Sequence, residues 1–186
     1  MLDKESSRSF NAYLLGEIRP NEFEDWLYSY PLLEEQLGVD LYLDLISIDF
    51  TVQSSKKQVK DLFGSQINYA AIHQEQILNT IGRLKAREGS PLELIAVLYK
   101  YAEMGYFFLA DNDLVANFGE MGKSISSALH KLDEKQQWER IQTLHKSFLF
   151  WIAEIEQDIK QERIRFTGKS NIGFYGQEYF IWERAF

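Results

Sequence analysis

A few short strings in this chain carry residue types that do chemistry elsewhere. Asn117-Phe-Gly-Glu-Met-Gly-Lys-Ser124 ends in the Gly-Lys-Ser of a phosphate-cradling loop. There, backbone N–H groups and the lysine hold phosphates, and the serine serves a magnesium ion. Lys123 and Ser124 would be the working residues of a nucleotide-dependent enzyme. The pattern departs from that loop at Asn117, where glycine or alanine is needed. It departs again at Asp111, Asn112 and Asp113, where a buried apolar strand should precede the loop. Asp111-Asn-Asp113 opens like a calcium loop, but Val115 occupies the fifth ligand position and no glycine follows it. His73-Gln-Glu75 has the His-x-Glu of zinc deaminases, and a chain without cysteine lacks the other ligands. His130 and His145 stand far from one another and from His73. No serine occupies a nucleophile-elbow string. The residues nominate no catalytic, cofactor-binding or metal-ligating set.

The acids are a different matter. Between positions 17 and 49 stand Glu17, Glu22, Glu24, Asp25, Glu34, Glu35, Asp40, Asp44 and Asp49 against one base, Arg19. That excess of eight equals the net charge of the whole chain, −8, so the remaining residues balance. Phe23, Trp26, Tyr28, Tyr30 and Tyr42 are interleaved with the acids. Carboxylate pairs serve hydrolases, yet neighbours such as Glu24-Asp25 and Glu34-Glu35 point to adjoining sides of a helix, as on a solvated face. Acids among tyrosines also suit recognition of lysine- and arginine-rich protein surfaces. Glu24, Asp25, Glu34, Glu35, Asp40 and Asp44 are the candidate charges of such a site, with Tyr28 and Tyr30 as anchors.

Bulk composition narrows the classes further. The length of 186 residues fits one domain able to bury a sizeable core, and 45% hydrophobic residues supply it. The acidic balance opposes nucleic-acid binding, which needs a basic footprint. The apolar runs near Leu94–Leu98 and Phe148–Ile152 are too short for a bilayer, and the charged residues before Phe10 do not form a signal peptide. A cytoplasmic protein with no membrane contact is expected, and the absence of cysteine fits a reducing compartment.

The periodicity places these residues on helices. Asn21 and Glu24 have capping-box spacing, with Pro20 just outside and Phe23, Trp26 and Leu27 on one face. Leu32, Leu33 and Leu37 form a short helix ending at Gly38. Residues 40–50 alternate like a strand for a few positions, but Leu41, Leu45 and Ile48 fit a helix capped by Asp40, which is the preferred reading. Helices follow at about 54–63 and 68–88. Ser90, Pro91 and Glu93 then open a buried helix to about Met104. Tyr106 to Leu109 reads as extended, Asp111 to Gly122 as loop or irregular helix, and Ser124 to Leu132 as a short helix. Trp138, Ile141, Leu144, Phe148, Trp151, Ile155 and Ile159 trace one long amphipathic helix over about 133–162, with His145 on its stripe. Ile164 and Phe166, then Tyr179 and Ile181, recur at period two between glycines, as in a β-hairpin within 163–186.

Phe23-Glu-Asp-Trp-Leu-Tyr28, Leu33-Glu-Glu-Gln-Leu37 and Tyr42-Leu-Asp-Leu-Ile-Ser47 together resemble the Phe-Glu-x-Trp…Leu-Glu…Tyr-Leu-x-Leu-Ile-Ser signature of a group of small bacterial proteins. These are similar to immunity proteins of polymorphic toxin systems, which neutralise a sister toxin by binding it. The resemblance spans about thirty residues and carries no catalytic residue. It implies a non-enzymatic inhibitor of a basic toxin. The expectation is therefore a mainly α, single-domain bundle of about six helices over 1–186, with a small C-terminal β-hairpin. Its acidic–aromatic region, 17–50, would bind a basic protein partner without a cofactor. The alternatives are an enzyme, nucleotide-dependent or carboxylate-dependent, and a homodimer joined through apolar faces.

Overall fold

The computed structural model describes residues 2–116, 129, 131–144, 146–173 and 177–185. The phosphate-loop-like string from Asn117 to Ser124, His130 and His145 lie outside the described residues. Among the described residues the fold is mainly helical, with one two-stranded antiparallel sheet at the C-terminal end. Contacts divide the chain into two compact units, Met1–Ile72 and His73–Phe186. The division falls in the first turn of helix α6, Tyr69–Ala86, so composition gave no linker to mark it.

The first unit contains α1 (Lys4–Leu15), α2 (Pro20–Ser29), α3 (Leu33–Leu37), α4 (Val39–Ile46) and α5 (Ser55–Phe63). Sequence reading found no helix at α1. Its inner face holds Ser6, Ser7 and Asn11 beside Phe10 and Tyr13, all buried, and these polar residues erase the apolar period. Asp3 caps it, accepting a bond from the Ser6 N–H at 2.8 Å. Helix α2 begins two residues earlier than its capping box predicts. Pro20 occupies the first turn, where a missing N–H and a fixed φ cost nothing. Glu22, rather than Glu24, closes the box by accepting from the Arg19 N–H at 2.8 Å. Gly38, at φ +80°, ends α3 and starts α4, so Asp40 lies inside the helix and does not cap it.

These helices enclose an aromatic core. Tyr13 stacks on Phe23 at 4.3 Å and 6°, and Phe10 meets Phe23, Trp26 and Phe63. The Tyr13 hydroxyl reaches Ser55 Oγ at 2.7 Å. Leu27, Leu33 and Leu45 are also buried there. Phe23, Trp26, Leu33 and Leu45 belong to the signature quoted above, and their positions record packing.

In the second unit α6 continues from His73, followed by α7 (Pro91–Glu103), α8 (Asp113–Ala116), α9 (Glu134–Leu144) and α10 (Lys146–Lys160). Ser90 caps α7 as expected, accepting from the Glu93 N–H at 3.4 Å. Phe107–Asp111 is a 3₁₀ turn, where an extended segment was expected. Gly105 at φ +108° reverses the backbone there, and Phe108 and Leu109 turn inward. The predicted long helix is helical over 134–144 and 146–160, with Trp138, Ile141, Phe148, Ile152, Ile155 and Ile159 buried.

The hairpin pairs β1 (Ile164–Ile172) with β2 (Glu178–Arg184). Three residues, Thr167 to Lys169, stand between the pairs at Phe166 and Ser170, against Ile181 alone on β2. This bulge is turned by Gly168 at φ +70° and tied by Thr167 Oγ1 donating to the Ile181 carbonyl at 2.7 Å. The inward face of β2 is Phe180 and Trp182, the alternate pair to the Tyr179 and Ile181 that mark the period. A period-two pattern in which four successive residues are all apolar does not fix its own phase. No helix among the described residues is long and apolar enough to cross a membrane.

Candidate protein-binding surface

The acids of the first unit sort into two kinds. Glu22 is committed to Arg19, and Asp49 accepts from the Thr51 N–H at 2.9 Å and from its hydroxyl. Glu24, Asp25, Glu34, Glu35, Asp40 and Asp44 have no ion-pair or hydrogen-bond partner for their carboxylates among the described residues. Five of these six are exposed and Glu24 is half-buried. They are the six that sequence reading nominated. All stand on α2, α3 or α4, whose apolar residues anchor each helix to the core.

The two nominated tyrosines separate. Tyr28 is 61% exposed near the end of α2. Tyr30 is half-buried, stacks on Trp26 at 5.4 Å, and donates its hydroxyl to Asp3 Oδ2 at 3.0 Å. Asp3 Oδ2 also accepts from Gln36 Nε2 at 2.7 Å, while the Asp3 N–H donates to Gln36 Oε1 at 3.0 Å. One carboxylate thus ties the start of α1 to the end of α2 and to α3. Burial pushes the Asp3 carboxyl up, but the bonds from Ser6, Tyr30 and Gln36 outweigh it and hold it below the usual carboxylate range. Desolvation, followed by the bond to Asp3, pushes the Tyr30 phenol up.

Sequence reading passed over the apolar half of this surface. Leu32, Val39 and Leu43 are exposed, at 48%, 58% and 53%. On α4 the residues Val39, Asp40, Leu43, Asp44 and Ser47 face outward, while Leu41, Tyr42, Leu45 and Ile46 turn in or are half-buried. At 3.6 residues per turn the outward set covers an arc of roughly 140°. Val39 and Leu43 form one stripe and Asp40 and Asp44 the stripe beside it. The signal was present as two pairs at i, i+4, beside the predicted inner face of Leu41, Leu45 and Ile48. Large apolar side chains left in water beside unpaired charges have the composition of a recognition surface.

In the second unit two carboxylates, Glu156 and Asp158, are each turned toward a pair of cations. Glu156 accepts from both Lys160 and Lys85, which hold its carboxyl below the usual range. Asp158 receives Arg163 at 2.7 Å and Arg184 at 3.2 Å, fastening β2 to the end of α10. This pair of arginines lines an open cleft of about 470 Å³ with Asp111, Trp151 and Glu154. His73 is fully buried, its Nδ1 2.8 Å from the Tyr106 hydroxyl, with Phe180 edge-on at 4.6 Å. Burial, with Lys100 adding repulsion, pushes the imidazole down to about 4, and burial pushes the Tyr106 phenol up. The ring is neutral and built into the interior. No group of three or more metal-ligating side chains converges among the described residues, and His73 and Glu75 hold no such arrangement.

No protein-family model matches the chain, and no curated protein or solved structure was found similar to it.

Proposed function

We propose that this protein is a non-enzymatic, acidic protein-binding domain that recognises a basic protein partner through the α2–α4 surface. The observation that carries the reading is the coincidence of six unpartnered carboxylates with four exposed apolar side chains, Tyr28, Leu32, Val39 and Leu43, on three consecutive helices. Unpaired surface acids raise the local concentration of a basic partner and speed its encounter. The exposed apolar side chains then supply the contact area that slows release. The partner that best fits this chemistry is a cytoplasmic toxin acting on nucleic acid. Such a toxin is basic because its substrate is polyanionic. An acidic inhibitor presents the same charge and occupies the same surface, which is the immunity-type function that the signature in α2–α4 implies.

The test is association with the product of a toxin-like reading frame encoded beside this one, measured by stopped flow over a range of salt. The wild type associates quickly at low salt and steeply more slowly as salt rises. Glu34→Lys with Glu35→Lys slows association about tenfold at low salt and flattens that dependence. In cells, co-expression of the wild type restores growth and the double variant restores it less. An unchanged rate and an unchanged salt slope in the double variant would sink the assignment.

A further inference from the structure

The outward face of α4 has the layout of one side of a helix–helix seam. Val39 and Leu43 stand one turn apart as an apolar stripe, and Asp40 and Asp44 run parallel to it. Paired helices use this arrangement: an apolar seam flanked by charges that select the partner. Here the flanking charge has a single sign, and neither aspartate has an ion-pair partner among the described residues. Glu34 and Glu35 add two more exposed acids on α3, which packs against α4.

Resting on the function proposed above, we infer that the partner presents a basic amphipathic helix and that this helix lies along α4. Its leucine-like residues, spaced three and four apart, would cover Val39 and Leu43. Its lysines or arginines would flank them and meet Asp40 and Asp44. Charge complementarity decides among the occupants. A second copy docked α4 to α4 sets Asp40 and Asp44 against like charges. An anionic membrane surface repels the same stripe. The eight residues of α4 extend over about 12 Å, so the contact engages roughly two turns of the incoming helix.

A defined probe tests this on the full chain. The probe is a labelled 14-residue peptide of leucine and lysine, with leucines at helical three–four spacing. Its control is a shuffled isomer of identical composition and charge with no apolar face. Fluorescence anisotropy at physiological salt reads the affinity, and far-UV circular dichroism reports whether the peptide becomes helical when bound. The patterned peptide binds 1:1, gains helicity, and binds at least about tenfold more tightly than the shuffled one. Val39→Ser with Leu43→Ser weakens it about tenfold, roughly the effect of removing two modest apolar contacts. Asp40→Lys with Asp44→Lys weakens it at least as much. All four residues are exposed, and an unchanged urea midpoint verifies that each variant folds.

Equal binding of patterned and shuffled peptides overturns the inference. So does indifference to Val39→Ser with Leu43→Ser, or self-association in sedimentation that those changes abolish. Loss of binding in Glu34→Lys with Glu35→Lys, together with indifference to the α4 changes, removes the helix from α4 and leaves the acidic-surface reading standing. Indifference to both sets removes both.

Discussion

The first unit gathers six unpaired carboxylates on three consecutive helices, and the second uses two of its own to join elements through paired cations. In the second, Glu156 and Asp158 each hold two cations and fasten secondary structure together. In the first, one carboxylate, Asp3, ties three helices, while six others on α2–α4 hold nothing. Counted over the sequence, residues 1–72 contain twelve acids and six bases, whereas residues 73–186 contain sixteen and fourteen. A charge excess that no internal partner relieves contributes nothing to the fold, and mutual repulsion makes it mildly unfavourable. Acids of that kind are free to serve binding, and acids of the other kind are structural. All three histidines also fall in the second unit.

The largest break in this comparison comes with acid. His73 has an ordinary value near 6.5 when unfolded and about 4 when folded. The unfolded chain therefore binds the extra proton first, and stability falls as pH drops from about 6.5 to about 4. The full loss is roughly 3 kcal/mol. Hydrogen exchange followed by segment should show α6, α7 and β2 losing protection over that window. Residues 4–63 should hold theirs until the carboxylates begin to protonate. A His73→Phe variant lacks the slope, whatever its stability at pH 7. A slope that survives the substitution assigns the acid sensitivity to another group.

Removing the carboxylates that tie structure together has the next effect. Asp3→Ala should cost about 1 kcal/mol through the lost cap and loosen the N-terminal turn of α1 and the Tyr30 ring together. Asp3 has a lowered folded value, so its contribution is present at neutral pH and disappears as pH falls through the carboxylate range. Asp158→Ala should cost about 1 kcal/mol or less, because Arg163 and Arg184 are half exposed and water screens the pairs. Urea midpoints compare the two. If Asp158→Ala leaves the second unit unchanged, its paired acids are no more structural than the unpaired ones.

The smallest effect is the most diagnostic. Converting Glu24, Asp25, Glu34 and Glu35 to their amides should leave the urea midpoint within about 0.5 kcal/mol or raise it slightly. A marked destabilisation would show that these acids support the fold after all, and the contrast between the units would dissolve.

Much of this was legible in the chain. Helices α2 to α7 and the hairpin follow from apolar period, Gly38, Gly64 and the Ser90-Pro91 start. The ambiguous 40–50 segment resolves as helix because Leu41, Tyr42 and Leu45 turn toward one core, which no strand phase would achieve. The six unpaired acids were nominated from the sequence because charge is a property of the sequence. What escaped was whatever depends on a neighbour. Helix α1 hides behind buried Ser6, Ser7 and Asn11. Tyr30 seemed free until Asp3, twenty-seven residues earlier, accepted its hydroxyl. Nothing in the sequence marks Leu32, Val39 and Leu43 apart from core residues, and only packing reveals which apolar side chains are left outside.

The hook between α7 and β2 has a consequence for biosynthesis. The Phe180 N–H bonds the Met104 carbonyl at 2.6 Å, and a Cβ at Gly105 would lie 2.6 Å from the Phe180 carbonyl oxygen, so β2 seats directly on the backbone after α7. Those two segments leave the ribosome several seconds apart at roughly 5–20 residues per second. During that delay Tyr106, Phe108 and His73 lack the strand that covers them. The nascent chain therefore passes through a sticky interval, and a chaperone that holds aromatic surface would find its target there, in the half-made second unit.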